Sequence, residues 1–284
     1  MKIIRRKIDP FPFEEGKSYD EEYFTTIVKT DTDFYVNGNL LFRYRRHVID
    51  NEKWFPIAEN NLKKTILTSN NRRRACSDPS KRVNSGIIGF FDRLTPQMKH
   101  TLRTIFPARR SFSKAGRPTA FLKKHPEEWM LIQPMLKQLD KWYLDTAPLH
   151  YHIQKKAIDE VVPDLLIKGT VFTTVTINRN WRTFAHTDKG DFKEALSCIG
   201  VLGKNIKGGF LGFPRFKILV AVRPGDAILM DPHEAHCNTE IDIGKNGSRF
   251  SFVCYLRNDL RGMTEPFKSG NDIFFVTPTD VPFN

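Results

Sequence analysis

Between Thr170 and Leu256 the chain breaks into short apolar runs separated by turn residues, and this rhythm constrains its fold more than any other feature. Thr170–Ile177, Leu196–Leu202, Lys217–Val222, Ala227–Met230 and Arg249–Leu256 are rich in Val, Ile, Thr and Phe. Gly208-Gly209 and Pro224-Gly225-Asp226 stand between them. Runs this short and closely spaced predict strands of a β-sandwich or jelly roll. Upstream, Asn37-Gly38 lies between Phe34-Tyr-Val36 and Leu40–Tyr44, a signal for a tight hairpin turn. The helical signals lie in the N-terminal half. Pro126–Tyr143 places Pro and two acids in a first turn, then Trp129, Ile132, Met135, Leu136, Leu139 and Trp142 at helical spacing, with Pro134 as an expected kink. Leu149–Val162 and Asn60–Asn71 read as shorter helices, and Thr95-Pro96 opens another. Trp54 and Phe55 are expected against the core from a polar linker, and Ser111–Pro118 reads as a basic loop.

A chain of 284 residues with 40% hydrophobic and 12% aromatic content can bury a core and is not compositionally disordered. Its four cysteines (Cys76, Cys198, Cys237, Cys254) lie far apart, which excludes a zinc knuckle and argues against a disulfide framework. The N-terminus has no apolar leader and no run reaches membrane-spanning length. The expectation is a soluble monomer, intracellular (nuclear or cytoplasmic), neither secreted nor membrane-bound. The formal charge is +13, and it is concentrated: Arg72 to Arg117 holds twelve Lys and Arg against two Asp. Such a stretch is either a solvated face or the electrostatic footprint of a polyanion binder. Phe90, Phe91 and Phe112 are interleaved with it, as base stacking on single strands would use.

The chemistry is suggested by three positions in chain order. His186-Thr-Asp188 follows one β run, and His236 follows another. Two imidazoles and one carboxylate make a facial triad for non-haem Fe(II), leaving three coordination positions for a bidentate cosubstrate and O₂. His186 alone reads as a turn histidine; the residues downstream change the balance. Arg249 and Ser251 stand two apart on the next run and so share one face of the strand. A buried Arg with a neighbouring hydroxyl suits a distal carboxylate, although a surface Arg on a strand is common. His233-Glu-Ala-His236 is one residue short of a zincin motif and follows a β run, so a metalloprotease is rejected. His236 is preferred over His233 as the ligand because it adjoins the following strand.

Taken together, Asn178-x-Asn-Trp-Arg-Thr, His186-x-Asp188-x-x-Asp191, Gly208-Gly209, Arg223-Pro-Gly-Asp226, His236-x-Asn238 and Arg249-x-Ser251 resemble the TET/JBP-like dioxygenases dependent on Fe(II) and 2-oxoglutarate. The resemblance covers about the last third of the chain. It implies an α+β fold: a double-stranded β-helix (jelly-roll, cupin-like) core with flanking helices from the N-terminal half. The expected organisation is a single catalytic domain over 1–284. Residues 1–165 would supply the hairpin, basic segment and supporting helices, 166–262 the core, and 263–284 a tail. By this resemblance His186, Asp188 and His236 hold iron, and Arg249 and Ser251 hold 2-oxoglutarate. O₂ is the co-reactant and ascorbate a candidate reductant. Asp191 and Arg257 fall at substrate-facing positions, although a turn Asp and a surface Arg fit them equally. The implied reaction is hydroxylation of the methyl group of a 5-methylpyrimidine, 5-methylcytosine or thymine, in DNA held by residues 72–117. That DNA would be single-stranded or have its base flipped, and Asn84 is a further candidate base contact. Two alternatives remain. One is the same chemistry on a protein side chain or small metabolite. The other is a non-catalytic basic DNA-binding jelly-roll protein.

Overall fold

The computed structural model describes residues 1–64, 84–94, 98–100, 104, 114–269 and 272–277. In chain order the strands are β1 (Lys2–Arg6), β2 (Thr26–Val28), β3 (Thr32–Val36), β4 (Asn39–Arg45), β5 (Ser85–Arg93), β6 (Lys114–Pro118), β7 (Thr174–Arg179), β8 (Ser197–Gly208), β9 (Leu211–Phe213), β10 (Ile218–Val220), β11 (Ala227–Met230), β12 (Cys237–Asn238), β13 (Ile241–Tyr255), β14 (Glu265–Ser269) and β15 (Asp272–Val276). The α-helices are α1 (Asn51–Asn61), α2 (Ala120–Lys124), α3 (Pro126–Thr146) and α4 (Pro148–Ala157). Among the described residues, eleven strands form one sheet in the order β1-β3-β4-β11-β8-β13-β7-β5-β6-β15-β14, and four form a second, β12-β9-β10-β2. Two sheets facing each other in this way make the double-stranded β-helix.

Strict two-residue alternation assigns each face of the large sheet its task. On β13, Phe250, Phe252 and Cys254 enter the core beneath the helices, while Arg249, Ser251 and Tyr255 line the cavity between the sheets. On β8, Cys198 and Leu202 go to the core and Ser197 and Val201 to the cavity. On β7, Val175 and Ile177 go to the core and Thr176 and Asn178 to the cavity. The register Ser251↔Val201 and Ser251↔Asn178 brings cavity-facing positions of three strands into one row. Farther along, Phe34, Phe42, Phe213, Ile218 and Ile228 fill the space between the sheets and close that end to water.

Helix α3 buries Ile132, Met135, Leu136, Leu139 and Tyr143 against the sheet, while Trp129 and Trp142 pack at its margin. It runs through Pro134 without ending. Pro134 is exposed, so the carbonyl of Met130 that loses its helical partner can meet water. Trp54 and Phe55 are buried as expected, but on α1, where the Asp50 side chain caps the helix by accepting from the Lys53 amide at 3.0 Å. This helix ends at Asn61, where the helix expected over Asn60–Asn71 would begin, and residues 65–71 lie outside the described residues. Of the element opened by Thr95-Pro96, the described residues 98–100 and 104 are helical; its other residues and most of the basic stretch lie outside the described residues. Lys114–Pro118 is a strand, and the last residues are more than a tail: β14 and β15 form a hairpin that pairs with β6 at Phe275↔Gly116.

Asp226, the acid of the Pro-Gly turn, is 2% exposed. Its carboxylate accepts from the Tyr44 hydroxyl at 2.6 Å, the Arg223 amide at 2.9 Å and the His47 amide at 3.1 Å. Burial, with the Asp226 carboxylate beside it, holds the Tyr44 phenol protonated well above its usual range. Asp226→Ala strips a partner from the buried Tyr44 hydroxyl and from two backbone amides and is expected to destabilise the fold by about 2–4 kcal/mol, read as a lower urea midpoint at unchanged slope.

Candidate active site

His186 and His236 sit on neighbouring chain segments that meet in an isolated β-bridge. Each donates its backbone amide to the other's carbonyl at 3.0 Å, so the two imidazoles are fixed relative to one another before any ligand binds. Their ring centroids are 4.4 Å apart. Nδ1 of His186 lies 2.7 Å from the Phe184 carbonyl, and Nδ1 of His236 lies 2.9 Å from that of Glu234. A carbonyl only accepts, so each Nδ1 carries the proton and each Nε2 presents its lone pair. Both Nε2 atoms point to Asp188, at 3.8 Å from His186 and 3.5 Å from His236. Burial works against a charged His236, but the hydrogen bond and charge of Asp188 outweigh it and raise its pKa. The three donor atoms lie within 4.8 Å of one another, and among the described residues no other cluster of His, Cys, Asp and Glu does this. Two neutral nitrogens and one hard oxygen suit Fe(II).

His233 stands outside the cluster. Its Nδ1 lies 3.5 Å from Asp231, and its amide donates to the same carboxylate at 2.9 Å. His233→Ala is expected to bind divalent metal within about threefold of the unaltered chain, measured by titration with Mn(II), because surface changes away from a site are usually nearly neutral.

Behind the triad the cavity ends at Arg249, which is 2% exposed. Its Nη2 donates to the Gly209 carbonyl at 3.0 Å, while Nε and Nη1 have no partner among the described residues. Burial pulls the guanidinium down to about 10, and it remains a cation at neutral pH. A buried cation with two free donors calls for an anion. Ser251 lies on the same face, with Asn178 Nδ2 3.5 Å from its hydroxyl, and the Asn178 Oδ1 is also without a partner. Gly209 explains why glycine is required here. Its φ is +68°, and a Cβ would lie 3.0 Å from Arg249 Nε. Asn238 ties this wall to the triad: its Oδ1 accepts from Thr183 at 2.7 Å, and its Nδ2 reaches the Phe210 carbonyl at 3.3 Å.

Asp191 is 7% exposed and is not among the residues lining the cavity; its Oδ2 accepts from the Oγ of Ser197, which does line it, at 3.0 Å. Arg257 does not line the cavity. Its guanidinium forms a two-point pair with Asp92, at 2.9 and 3.4 Å, so it is neither an ordinary surface arginine nor free to reach a ligand. Sequence reasoning missed Ser197, Thr176 and Tyr255, which also line the cavity, with the Tyr255 hydroxyl 3.5 Å from Thr176 Oγ1. Counting on by twos from Arg249 and Ser251 along β13 reaches Tyr255, so the signal was present.

A double-stranded β-helix with a His-x-Asp…His cluster at its cavity and an unpaired buried arginine behind it is the scaffold of an Fe(II)- and 2-oxoglutarate-dependent oxygenase. Residues 106–258 match the Tet_JBP family, the oxygenase domain of the 2OGFeDO superfamily, and the chain belongs to that family. It is 35% identical over 188 residues to the bifunctional helicase and thymine dioxygenase JBP2 of Leishmania tarentolae, covering 66% of this chain and 16% of that protein. It is 34% identical over 181 residues to the thymine dioxygenase JBP1 of Crithidia fasciculata, covering 62% of this chain and 20% of that one. The chain thus corresponds to a fifth or less of these relatives' length. The solved structure of NgTET1 in complex with 5mC DNA shares the fold, with a TM-score of 0.54 at 14% identity over 82% of this chain and 83% of that one.

Proposed function

We propose that this chain is a dioxygenase domain that hydroxylates the 5-methyl group of a pyrimidine in DNA, with thymine as the substrate. The observation that carries the reading is Arg249: a buried guanidinium with two unused donors, in the same cavity as His186, Asp188 and His236. That pairing of an anion anchor with a facial metal set is what 2-oxoglutarate chemistry requires. Bound there, Fe(II) with 2-oxoglutarate and O₂ supplies the oxidising power to insert one oxygen atom into an unactivated C–H bond.

The chain's own residues divide the remaining work. Arg249 and Ser251 would hold the distal carboxylate of 2-oxoglutarate, and the Asn178 Nδ2, 3.5 Å from the Ser251 hydroxyl, adds a donor beside it. The two imidazoles and Asp188 would hold Fe(II). Asp191, whose Oδ2 is occupied by Ser197, offers a carboxylate to N3–H of a thymine ring. The methyl group must enter the cavity, so the base leaves its stack or comes from a single strand. The basic stretch 72–117 supplies the charge to hold the backbone. Thymine is favoured over 5-methylcytosine because the relatives sharing 33–36% identity over this region carry thymine dioxygenase in their names. Ascorbate fits as a reductant that keeps the iron ferrous, and one copy of the domain contains the whole site.

The test is succinate release from 2-oxoglutarate with Fe(II), offered thymine-containing oligonucleotides, free thymidine, 5-methylcytosine oligonucleotides and a peptide mixture. Stimulation by the thymine oligonucleotides above the others supports the reading. Stimulation by 5-methylcytosine instead moves the substrate within the class, and stimulation by peptide alone overturns it.

A further inference from the structure

Arg257 is a large cation buried close to the metal-binding loop, yet it touches neither the triad nor the cavity. Its side chain is 13% exposed and that of Asp92 is 1% exposed. Besides the two-point pair, the guanidinium lies 5.0 Å from the centre of the Phe91 ring and 3.6 Å from the Asp259 carboxylate, which also pairs with Lys114 at 2.7 Å. The backbone is held as well, since the Arg257 amide donates to Thr173 Oγ1 at 2.9 Å. Few arginines have so little freedom.

What that fixed guanidinium rests against is Gly190. A Cβ on Gly190 would lie 1.5 Å from Arg257 Nη1 and 2.3 Å from Cζ. Gly190 lies between Asp188, which faces both imidazoles, and Asp191, which holds Ser197. The same contact is sealed by backbone bonds: Asp191 pairs with Arg257, the Asn258 amide donates to the Gly190 carbonyl at 3.1 Å, and the Asp191 amide to the Asp188 carbonyl at 3.3 Å. The loop therefore closes over a wall made by the flat face of one arginine, and only glycine leaves room for it.

We propose that Arg257 is a positioning residue: pinned by Asp92, it sets the loop that carries Asp188 and Asp191, and so places the metal carboxylate and the substrate carboxylate without touching metal or base. The pair reaches further. Asp92 is the next-to-last residue of the strand before residues 95–113, Lys114 begins the strand after them, and that interval holds Lys99, Arg103, Arg109 and Arg110. The Asp92–Arg257–Asp259–Lys114 chain thus ties both flanks of residues 95–113, the second half of the basic stretch, to the metal loop. This role rests on the Fe(II) site described above, and its test separates the two.

Full-length Arg257→Ala, Gly190→Ala and the double variant Arg257→Ala/Asp92→Ala are compared for Mn(II) affinity by electron paramagnetic resonance. Oligonucleotide affinity at fixed salt and the ratio of oxidised nucleoside to succinate are measured alongside. A residue that orients a ligand from behind it typically changes metal affinity about 10–100-fold. Arg257→Ala and Gly190→Ala are both expected to weaken Mn(II) binding in that range and to lower the product-to-succinate ratio, with oligonucleotide affinity within about twofold. The double variant is expected to be no worse than Arg257→Ala, because partners in one pair are not additive. Gly190→Ala removes no charge, so it decides the matter if Arg257→Ala does not fold. Unchanged Mn(II) affinity and ratio in folded Gly190→Ala overturns the proposal. So does an Arg257→Ala protein that loses oligonucleotide affinity tenfold while binding Mn(II) normally, since that is a direct contact. An unaltered chain that binds no Mn(II) overturns the metal site itself, and the proposal with it.

Discussion

An Arg249→Met protein is expected to lose its hold on 2-oxoglutarate while becoming more stable in the cosubstrate's absence. The two effects have one cause. Arg249 is buried with Nε and Nη1 unpartnered, so folding strips water from a cation and returns only the bond to Gly209. Methionine matches the aliphatic part of the arginine side chain and buries no charge. Replacing buried charge by a well-packed apolar side chain is commonly neutral or stabilising by about 1–4 kcal/mol. A rise of several degrees in melting temperature without 2-oxoglutarate is therefore expected. With the cosubstrate the sign reverses, because the lost charge-assisted pair is worth about 2–5 kcal/mol, or roughly 30- to 5,000-fold in affinity. Added 2-oxoglutarate should raise the melting temperature of the unaltered chain and leave that of Arg249→Met unmoved. A merely structural arginine gives the opposite pattern: lower stability and an unchanged response to 2-oxoglutarate.

Asp188→Ala should cost more activity with little effect on folding. Asp188 supplies the set's only negative charge, and its carboxylate lies between the two Nε2 atoms. Two neutral imidazoles cannot offset a divalent cation, and a third ligand position is lost. Metal affinity should fall by at least about 100-fold, exceeding the effect of an outer partner. Turnover should fall by about a thousandfold or more, since the metal contributes several kcal/mol to such reactions. The side chain is 32% exposed, so unfolding free energy should change by less than about 1 kcal/mol. Asp188→Asn keeps the shape and removes the charge. If it binds Mn(II) as well as the unaltered chain does, the carboxylate is not a ligand.

The sequence made the site far more legible than its surroundings, and the reason is distance along the chain. Arg249 and Ser251 share a strand face because alternation is local, and His186 and Asp188 are two residues apart. The hairpin at Asn37-Gly38 was legible for the same reason: both residues have positive φ, as such a turn demands. Arg257 was not legible. Its partner Asp92 lies 165 positions away, and no local pattern announces an ion pair across that span. Gly190, which makes room for it, is marked by nothing in the local sequence. Helix α1 was hidden because Pro56 lies inside it and Trp54, Phe55 and Ala58 make a narrow apolar face. The hairpin of β14 and β15 looked like a tail because its pairing partner, β6, is more than 140 residues upstream. Thr176 and Tyr255, by contrast, were within reach of the alternation rule once the strands' inward face was known.

The proposed role of the triad and Arg249 is the oxidation of a methyl group on DNA. It is tested by mass spectrometry of nucleosides from thymine-containing DNA incubated with the protein, Fe(II), 2-oxoglutarate, O₂ and ascorbate. The expected product is 5-hydroxymethyl-2′-deoxyuridine, formed with succinate and absent when Asp188→Ala or Arg249→Met replaces the unaltered chain. A chain that binds Mn(II) and 2-oxoglutarate yet leaves every nucleoside unoxidised would contradict it.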